Sequence, residues 1–202
     1  MSAPLPPRVR FGALFAIGLS AMVGLGAAGS MAEVMDLEQL IEAGPPRSLP
    51  FGEMFYSKQV IAAQFKAQIG ALQSMRTSRV VVEVLLSTLA AMSLVSAIRL
   101  LRPAGVPREG VRKMLGLTAL GCAIMRTLDG AQSTALAKKV GVAIDKAMLE
   151  NPPEGYVGGV ASVAAPLMSL MFTVIFVGAF LAVSAYFGSA GVRAVTAKEA
   201  EE

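Results

Sequence analysis

Long apolar blocks alternate with polar segments along this chain of 202 residues. Four of the blocks approach or exceed the roughly 20 residues that a helix needs to cross the hydrocarbon core of a bilayer. They cover residues 11–29, 80–101, 114–135 and 160–187. A soluble domain spreads its apolar residues at core spacing, so blocks of this length predict transmembrane helices. The polar segments at the ends and between them are residues 1–10, 30–79, 102–113, 136–159 and 188–202.

The first block permits two interpretations. It follows Arg8 and Arg10 and ends in the small residues Ala27, Ala28 and Gly29, which is also the pattern of a cleaved signal peptide. Its apolar run is longer than the usual core of about 7–15 residues in a signal peptide, which favours a retained span. Cleavage would leave a protein with three spans.

Positive charge crowds the short segment between the second and third blocks. The residues concerned are Arg99, Arg102, Arg108, Arg112 and Lys113. Short loops rich in Lys and Arg remain in the cytoplasm, so we expect residues 102–113 and both termini on that side. Residues 30–79 and 136–159 then lie on the other side, and we expect the membrane to be the bacterial inner membrane.

The segment 30–79 contains two helical patterns. Ser30 and Glu33 have the spacing of a capping box, and Gly44 supplies a stop, so the sequence predicts an acidic amphipathic helix over residues 31–43. From about Glu53 apolar residues recur three and four apart, and no proline intervenes before Pro103. This pattern predicts one helix that begins outside the bilayer and continues into the second span.

The third span is expected to continue in the same way, past Ala135 to the breaker Asn151-Pro152-Pro153. The predicted fold is therefore all-α, an integral membrane four-helix (tetraspan) bundle. Its second and third helices extend outside the membrane as a stalk.

Small residues recur every four positions along two spans, a pattern that lets helix backbones approach closely in lipid. Packing inside the bundle and a homo-oligomer interface both remain open as its explanation. The faces consist of Gly12, Ala16, Ser20, Gly24 and Ala28 in the first span, and of Ala119, Ala123, Thr127 and Ala131 in the third.

Three ionisable residues fall inside predicted spans: Glu83, Arg126 and Asp129. An ionisable group there costs at least about 2.5–3.5 kcal/mol, so it normally faces the bundle interior and is paired. We expect Arg126 to pair with Asp129, with Glu83, or with both. The cluster is either an ion, proton or polar-ligand site, or a structural ion pair near the interface.

Composition narrows the possible functions further. Hydrophobic residues make up 54% of the chain and charged residues only 16%, as lipid-solvated helices require. Histidine and tryptophan are absent and Cys122 is the single cysteine, which argues against histidine-bound metals and excludes an intramolecular disulfide. The basic residues lie beside apolar blocks, so we expect no nucleic-acid partner, and no motif indicates a cofactor or an enzyme.

The sequence favours a non-catalytic membrane scaffold or accessory subunit whose partners are the lipid bilayer and a second protein or copies of itself. The residues expected to form the partner surface lie on the apolar faces of the two predicted helices of segment 30–79: Leu37, Leu40 and Ile41 on the first, and Ile61, Phe65 and Ile69 on the second. The main alternative is a small oligomeric transporter or channel that uses the Glu83, Arg126 and Asp129 cluster. A sensor with an outer stalk is weakened by the small cytoplasmic portion.

Overall fold

A computed structural model describes residues 5–46, 57–102, 108–150, 152 and 156–197, and within these ranges the chain forms six helices and no strand. This confirms the prediction of an all-α protein. The helices are α1 (Pro7–Met35), α2 (Leu37–Ala43), α3 (Lys58–Leu101), α4 (Arg108–Glu150), α5 (Val160–Gly188) and α6 (Ala190–Ala197).

Three helices in the described part of the chain, α1, α3 and α5, are long and apolar enough to cross a membrane. They contain the predicted first, second and fourth spans, in agreement with a membrane protein. Helix α4 contains the predicted third span but is not one of the three. Its middle carries Arg126 and Asp129, which lower its apolar character.

The two central helices are unusually long. Helix α3 has 44 residues and α4 has 43, so each measures about 65 Å at 1.5 Å per residue. The predicted start of α3 near Glu53 lies outside the described residues, as do residues 103–107 of the predicted cytoplasmic segment 102–113.

The structure corrects the helix start predicted at Ser30. Helix α1 continues through this residue to Met35, and the separate acidic helix α2 begins only at Leu37. The Ser30 hydroxyl accepts hydrogen bonds from Arg79 Nη2 at 2.7 Å and Nε at 3.2 Å instead of capping a helix. Because α1 already supplies carbonyl acceptors for the following N–H groups, the capping-box residues have no free end to cap. Helix α2 ends at Gly44, whose φ of 71° suits glycine.

The chain divides into two compact units. The first contains Met1–Gly29, Val82–Thr127 and Val174–Glu202, and the second contains Ser30–Val81 and Leu128–Thr173. The core of the first unit draws on five helices, and its members include Val9, Ala13 and Ala16 of α1, Leu86 and Ala90 of α3, Leu115, Ala119 and Cys122 of α4, Phe180 and Phe187 of α5, and Val192 of α6.

The second unit has a smaller apolar cluster. Val34, Leu37 and Leu72 are buried together, and Ile69, Val80 and Leu136 pack against them. In the same unit α4 and α5 approach closely at two glycines of α4. A side chain at Gly130 would clash with Thr173, and one at Gly141 would clash with the backbone of Ala161.

Candidate functional site

Glu83 and Arg126 of the predicted polar cluster both belong to the first unit. The register between α3 and α4 is set by Leu89, whose methyl carbons would lie 3.2 Å from a Cβ at Gly121. Glu83 lies six residues before Leu89, and Arg126 lies five residues after Gly121. On an antiparallel helix pair both are therefore displaced in the same direction, by about 9 Å and about 8 Å. The two side chains lie at the same level of the unit.

The surroundings of these two residues differ. Glu83 is 1% exposed, while Arg126 is half-buried and its guanidinium carbon lies 5.4 Å from the ring centroid of Phe176 on α5. A guanidinium over an aromatic face is attracted by about 0.5–2 kcal/mol, most strongly where water is excluded. Helices α3, α4 and α5 thus each contribute one side chain at or near this level.

Asp129 is assigned to the second unit, where it is buried and accepts a hydrogen bond from the Ser133 hydroxyl at 3.3 Å. Each of Glu83, Arg126 and Asp129 has an interaction partner. The pairing expected among the three stays a prediction.

The small residues of α1 are partly used in packing within the first unit. Ala16 and Ser20 are buried, and the Ser20 hydroxyl donates to Ser93 Oγ of α3 at 2.9 Å. Gly12 lies beneath Tyr186, since a Cβ there would be 2.7 Å from its Cε1 atom, and Gly24 faces Ala90.

Other residues of the two predicted faces are exposed. Ala119 and Ala123 are buried, whereas Ala28, Thr127 and Ala131 are exposed on the chain. An α-helix turns about 100° per residue, so a series of four-residue steps rotates about 40° at each step and leaves any one interface after a few steps. Packing inside the chain therefore uses only part of each face.

The predicted partner surface divides between buried and exposed residues. Leu37 and Ile61 are buried, while Phe65 and Ile69 are half-buried, with Ile69 packed on the small cluster of the second unit. Leu40 and Ile41 of α2 are 36% and 43% exposed. All four acidic residues of this stretch are exposed as well: Glu33, Asp36, Glu38 and Glu42.

A polar clamp that the sequence did not predict lies in the first unit, at the start of α4. Arg112 donates to Glu109 through Nε and Nη2, both at 2.8 Å, and through Nη1 to the backbone carbonyl of Phe187 near the end of α5. The Thr196 hydroxyl of α6 donates to Glu109 Oε2 at 3.0 Å. A buried cation at the carbonyl end of a helix is favourable for the helix dipole.

The clamp changes the acidity of its carboxyl group. The hydrogen bond from Arg112 lowers the pKa of Glu109 to about 2, against the opposing effect of burial. Lys113 Nζ adds a more exposed contact to Glu109 at 3.3 Å. The clamp joins α4, α5 and α6 and offers no free group for chemistry, so its role is structural.

A second unpredicted site is the start of α5 in the second unit. The Asp145 carboxylate of α4 accepts hydrogen bonds from the backbone N–H groups of Ala161 at 3.0 Å and Ser162 at 2.8 Å. The Tyr156 hydroxyl donates to it at 2.5 Å. Asp145 therefore caps α5 from a distance, at the end where the helix dipole favours a negative charge.

Neither site has a local sequence signal, because its partners lie far apart in the chain. One indirect signal exists at α5, whose first residues follow Gly158 and Gly159 with no Ser, Thr, Asp or Asn in the capping position. The first N–H groups of a helix without a local capping side chain need an acceptor from elsewhere in the chain. Within the described ranges no group of three acidic or cysteine side chains could hold a metal ion.

No protein-family model, curated protein or solved structure matches the chain. The function is therefore inferred from the residues and their arrangement.

Proposed function

We propose that the protein is a non-catalytic, multi-pass membrane scaffold or accessory subunit. It packs into a membrane assembly and presents the helical region of its second unit to a protein partner. The observation that carries this proposal is the exposed apolar and acidic surface of α2.

Helix α2 is only 7 residues long, and Leu37 is its one buried residue. So short a helix is marginal by itself in water, because nucleation costs more than a few hydrogen bonds return. Leu40 and Ile41 form an exposed apolar patch between Glu38 and Glu42. A partner with an apolar surface bordered by Lys or Arg would bury this patch and neutralise the two glutamates.

The exposed face of α4 supports a fourth membrane crossing. Leu117, Leu120, Ile124 and Leu128 recur three and four residues apart, and each is at least 40% exposed. The opposite face contains the buried Leu115, Ala119, Cys122 and Ala123. A helix packed on one side and apolar on the other suits a position at the edge of a bundle in lipid, even though its residues 114–135 include the charged Arg126 and Asp129.

The distribution of charge supports the topology. The basic residues around 99–113 favour a cytoplasmic position for the α3–α4 connection and hence for both termini. The segments 30–79 and 136–159, which belong to the second unit, then lie on the other side of the membrane. We propose the bacterial inner membrane as the location.

The test compares the full-length protein with two variants after extraction in a mild detergent. The double substitution Leu40→Ser and Ile41→Ser removes the exposed apolar patch of α2. Leu149→Ser is the matched control, since Leu149 is 61% exposed and belongs to the same unit. We expect the unaltered protein and the control to migrate as an assembly in native electrophoresis and the double variant to migrate as a monomer. Migration of the unaltered protein as a monomer without any partner would contradict the proposal.

A small oligomeric transporter or channel is the second candidate. It is favoured by the burial of Glu83 at the same level as Arg126, since buried ionisable groups in spans often mark ion pathways. The stacking of Arg126 on Phe176 favours a structural role instead.

A further inference from the structure

Two apolar grooves open on the surface of the first unit. One has a volume of about 610 Å³ and lies between the start of α1 and the end of α5. The other has a volume of about 460 Å³ and lies between the end of α3 and the start of α4. Each groove contains a single charged residue, which is Arg8 in the first and Arg99 in the second.

The lining of the first groove changes in character along the helix axis. Arg8 stands in the first turn of α1, and Phe11 and Phe15 follow one and two turns further along. On α5 the lining runs back from Phe187 near the helix end to Ala182. The groove therefore has a cation at the end where α1 begins, and only apolar and aromatic side chains line it further along the helix.

The second groove repeats this order on different helices. Arg99 stands in the last turn of α3, and Val95 and Met92 line the groove one and two turns further from the helix end. On α4 the lining continues from Gly110 to Met114, away from the start of the helix. Both arginines are exposed, so both guanidinium groups are available for a ligand.

We propose that each groove binds an anionic phospholipid, with an acyl chain along the apolar walls and the negatively charged phosphate of its headgroup at Arg8 or Arg99. A phospholipid has the same order of polarity as the grooves, charged at one end and apolar along its length. Basic residues at the border of apolar membrane surface attract anionic headgroups, by about 1 kcal/mol each. A helix of a partner protein could bind an apolar groove without any cation. The presence of one arginine at the end of each groove therefore favours a lipid over a partner helix.

This inference rests on the membrane insertion that the proposed function includes, but not on the α2 surface. The experiment is a titration of the full-length protein in mild detergent with phosphatidylglycerol or phosphatidylcholine, in which native mass spectrometry counts the lipids retained. We expect two phosphatidylglycerol molecules to be retained in preference to phosphatidylcholine. Arg8→Gln and Arg99→Gln should each weaken one of the two sites about fivefold, which corresponds to about 1 kcal/mol.

Two further sets of variants separate the sites from a general effect of charge. Arg193→Gln removes an exposed arginine of α6 that lines neither groove, and it should retain both lipids. Ala182→Phe and Ala91→Phe fill the grooves and keep the arginines, and each should lose one lipid.

Equal retention of the two lipids, or equal losses in Arg193→Gln and Arg8→Gln, would overturn the inference. Sedimentation of membranes after alkaline extraction distinguishes the two levels of failure. A protein that stays with the membranes but shows no lipid preference refutes only the lipid sites. A protein released from the membranes refutes the membrane scaffold as well.

Discussion

The capping of α5 by Asp145 permits a quantitative prediction about stability and pH. Burial pushes the pKa of Asp145 upward, but the hydrogen bonds from Ser162, Tyr156 and the Ala161 backbone outweigh it and bring the pKa from 3.8 to about 2. A pKa difference of one corresponds to about 1.4 kcal/mol, so the charged form contributes about 2 kcal/mol to folding. This is the magnitude expected for a strong helix cap.

The direction of the pH dependence follows from the lowered pKa. Above about pH 5 the carboxyl is ionised in both the folded and the unfolded chain, and the stabilisation is fully present. As the pH falls from about 5 to about 1, the unfolded chain binds a proton first, and the stabilisation is lost once the pH lies below both pKa values. Asp145→Asn should therefore be about 2 kcal/mol less stable than the unaltered protein at pH 7, and the difference should shrink below about pH 4 and be nearly gone at pH 2.

The measurement is reversible denaturation in detergent at several values between pH 7 and pH 2, for both proteins. Other carboxyl groups, including Glu109, titrate in both, so their effects cancel in the difference. Glu150→Gln is the control, because this exposed carboxylate of the same helix should leave stability unchanged. A difference between Asp145→Asn and the unaltered protein that does not change with pH would refute the assignment of the cap to a charged carboxylate.

Three other predictions concern single substitutions, and the first two are each paired with a control variant. Arg112→Ala should cost about 1–3 kcal/mol, because the Phe187 carbonyl loses its donor and Glu109 keeps only its contacts to Thr196 and Lys113. Lys113→Ala removes an exposed contact to the same carboxylate and should cost less than about 1 kcal/mol. Equal costs in thermal denaturation would argue against the clamp. Gly141→Ala should destabilise by about 1–3 kcal/mol because its Cβ meets the backbone of α5, while Gly70→Ala, which has open space, should be neutral or up to about 1 kcal/mol stabilising in the same assay. Arg126→Ala should lower thermal stability without altering ion flux in liposomes, and a flux that only the unaltered protein supports would favour the transporter instead.

The long helices could be predicted because their sequence signals are local. No proline interrupts residues 58–101, and the structure has one continuous helix there. Gly44 followed by two prolines marks the end of α2, where the backbone adopts a positive φ. The capping pattern at Ser30 is also local, but it predicted a helix start that the structure does not have. A capping residue acts only at a free helix end, and Ser30 lies inside α1, which continues to Met35.

The polar sites could not be predicted because their partners are distant in the chain. Glu109 meets Thr196, Ser20 meets Ser93, and neither pair leaves a pattern in a single sequence. Asp145 carries no signal in the sequence, because an acidic residue on a predicted stalk is indistinguishable from a solvent-exposed charge. Its burial comes from the return of α5 alongside α4, which depends on tertiary packing rather than on periodicity.

The contact between Gly12 and Tyr186 has a consequence for biosynthesis. Tyr186 belongs to the last membrane-length helix, so α1 emerges from the ribosome long before the aromatic ring that will cover it is made. During translation Gly12 stays uncovered until α5 has been made, and the Ser20 hydroxyl lacks Ser93 until α3 has been made. A nascent chain arrested before α5 would therefore expose an unfinished side of its first helix, which is the kind of surface that membrane quality-control proteases can recognise.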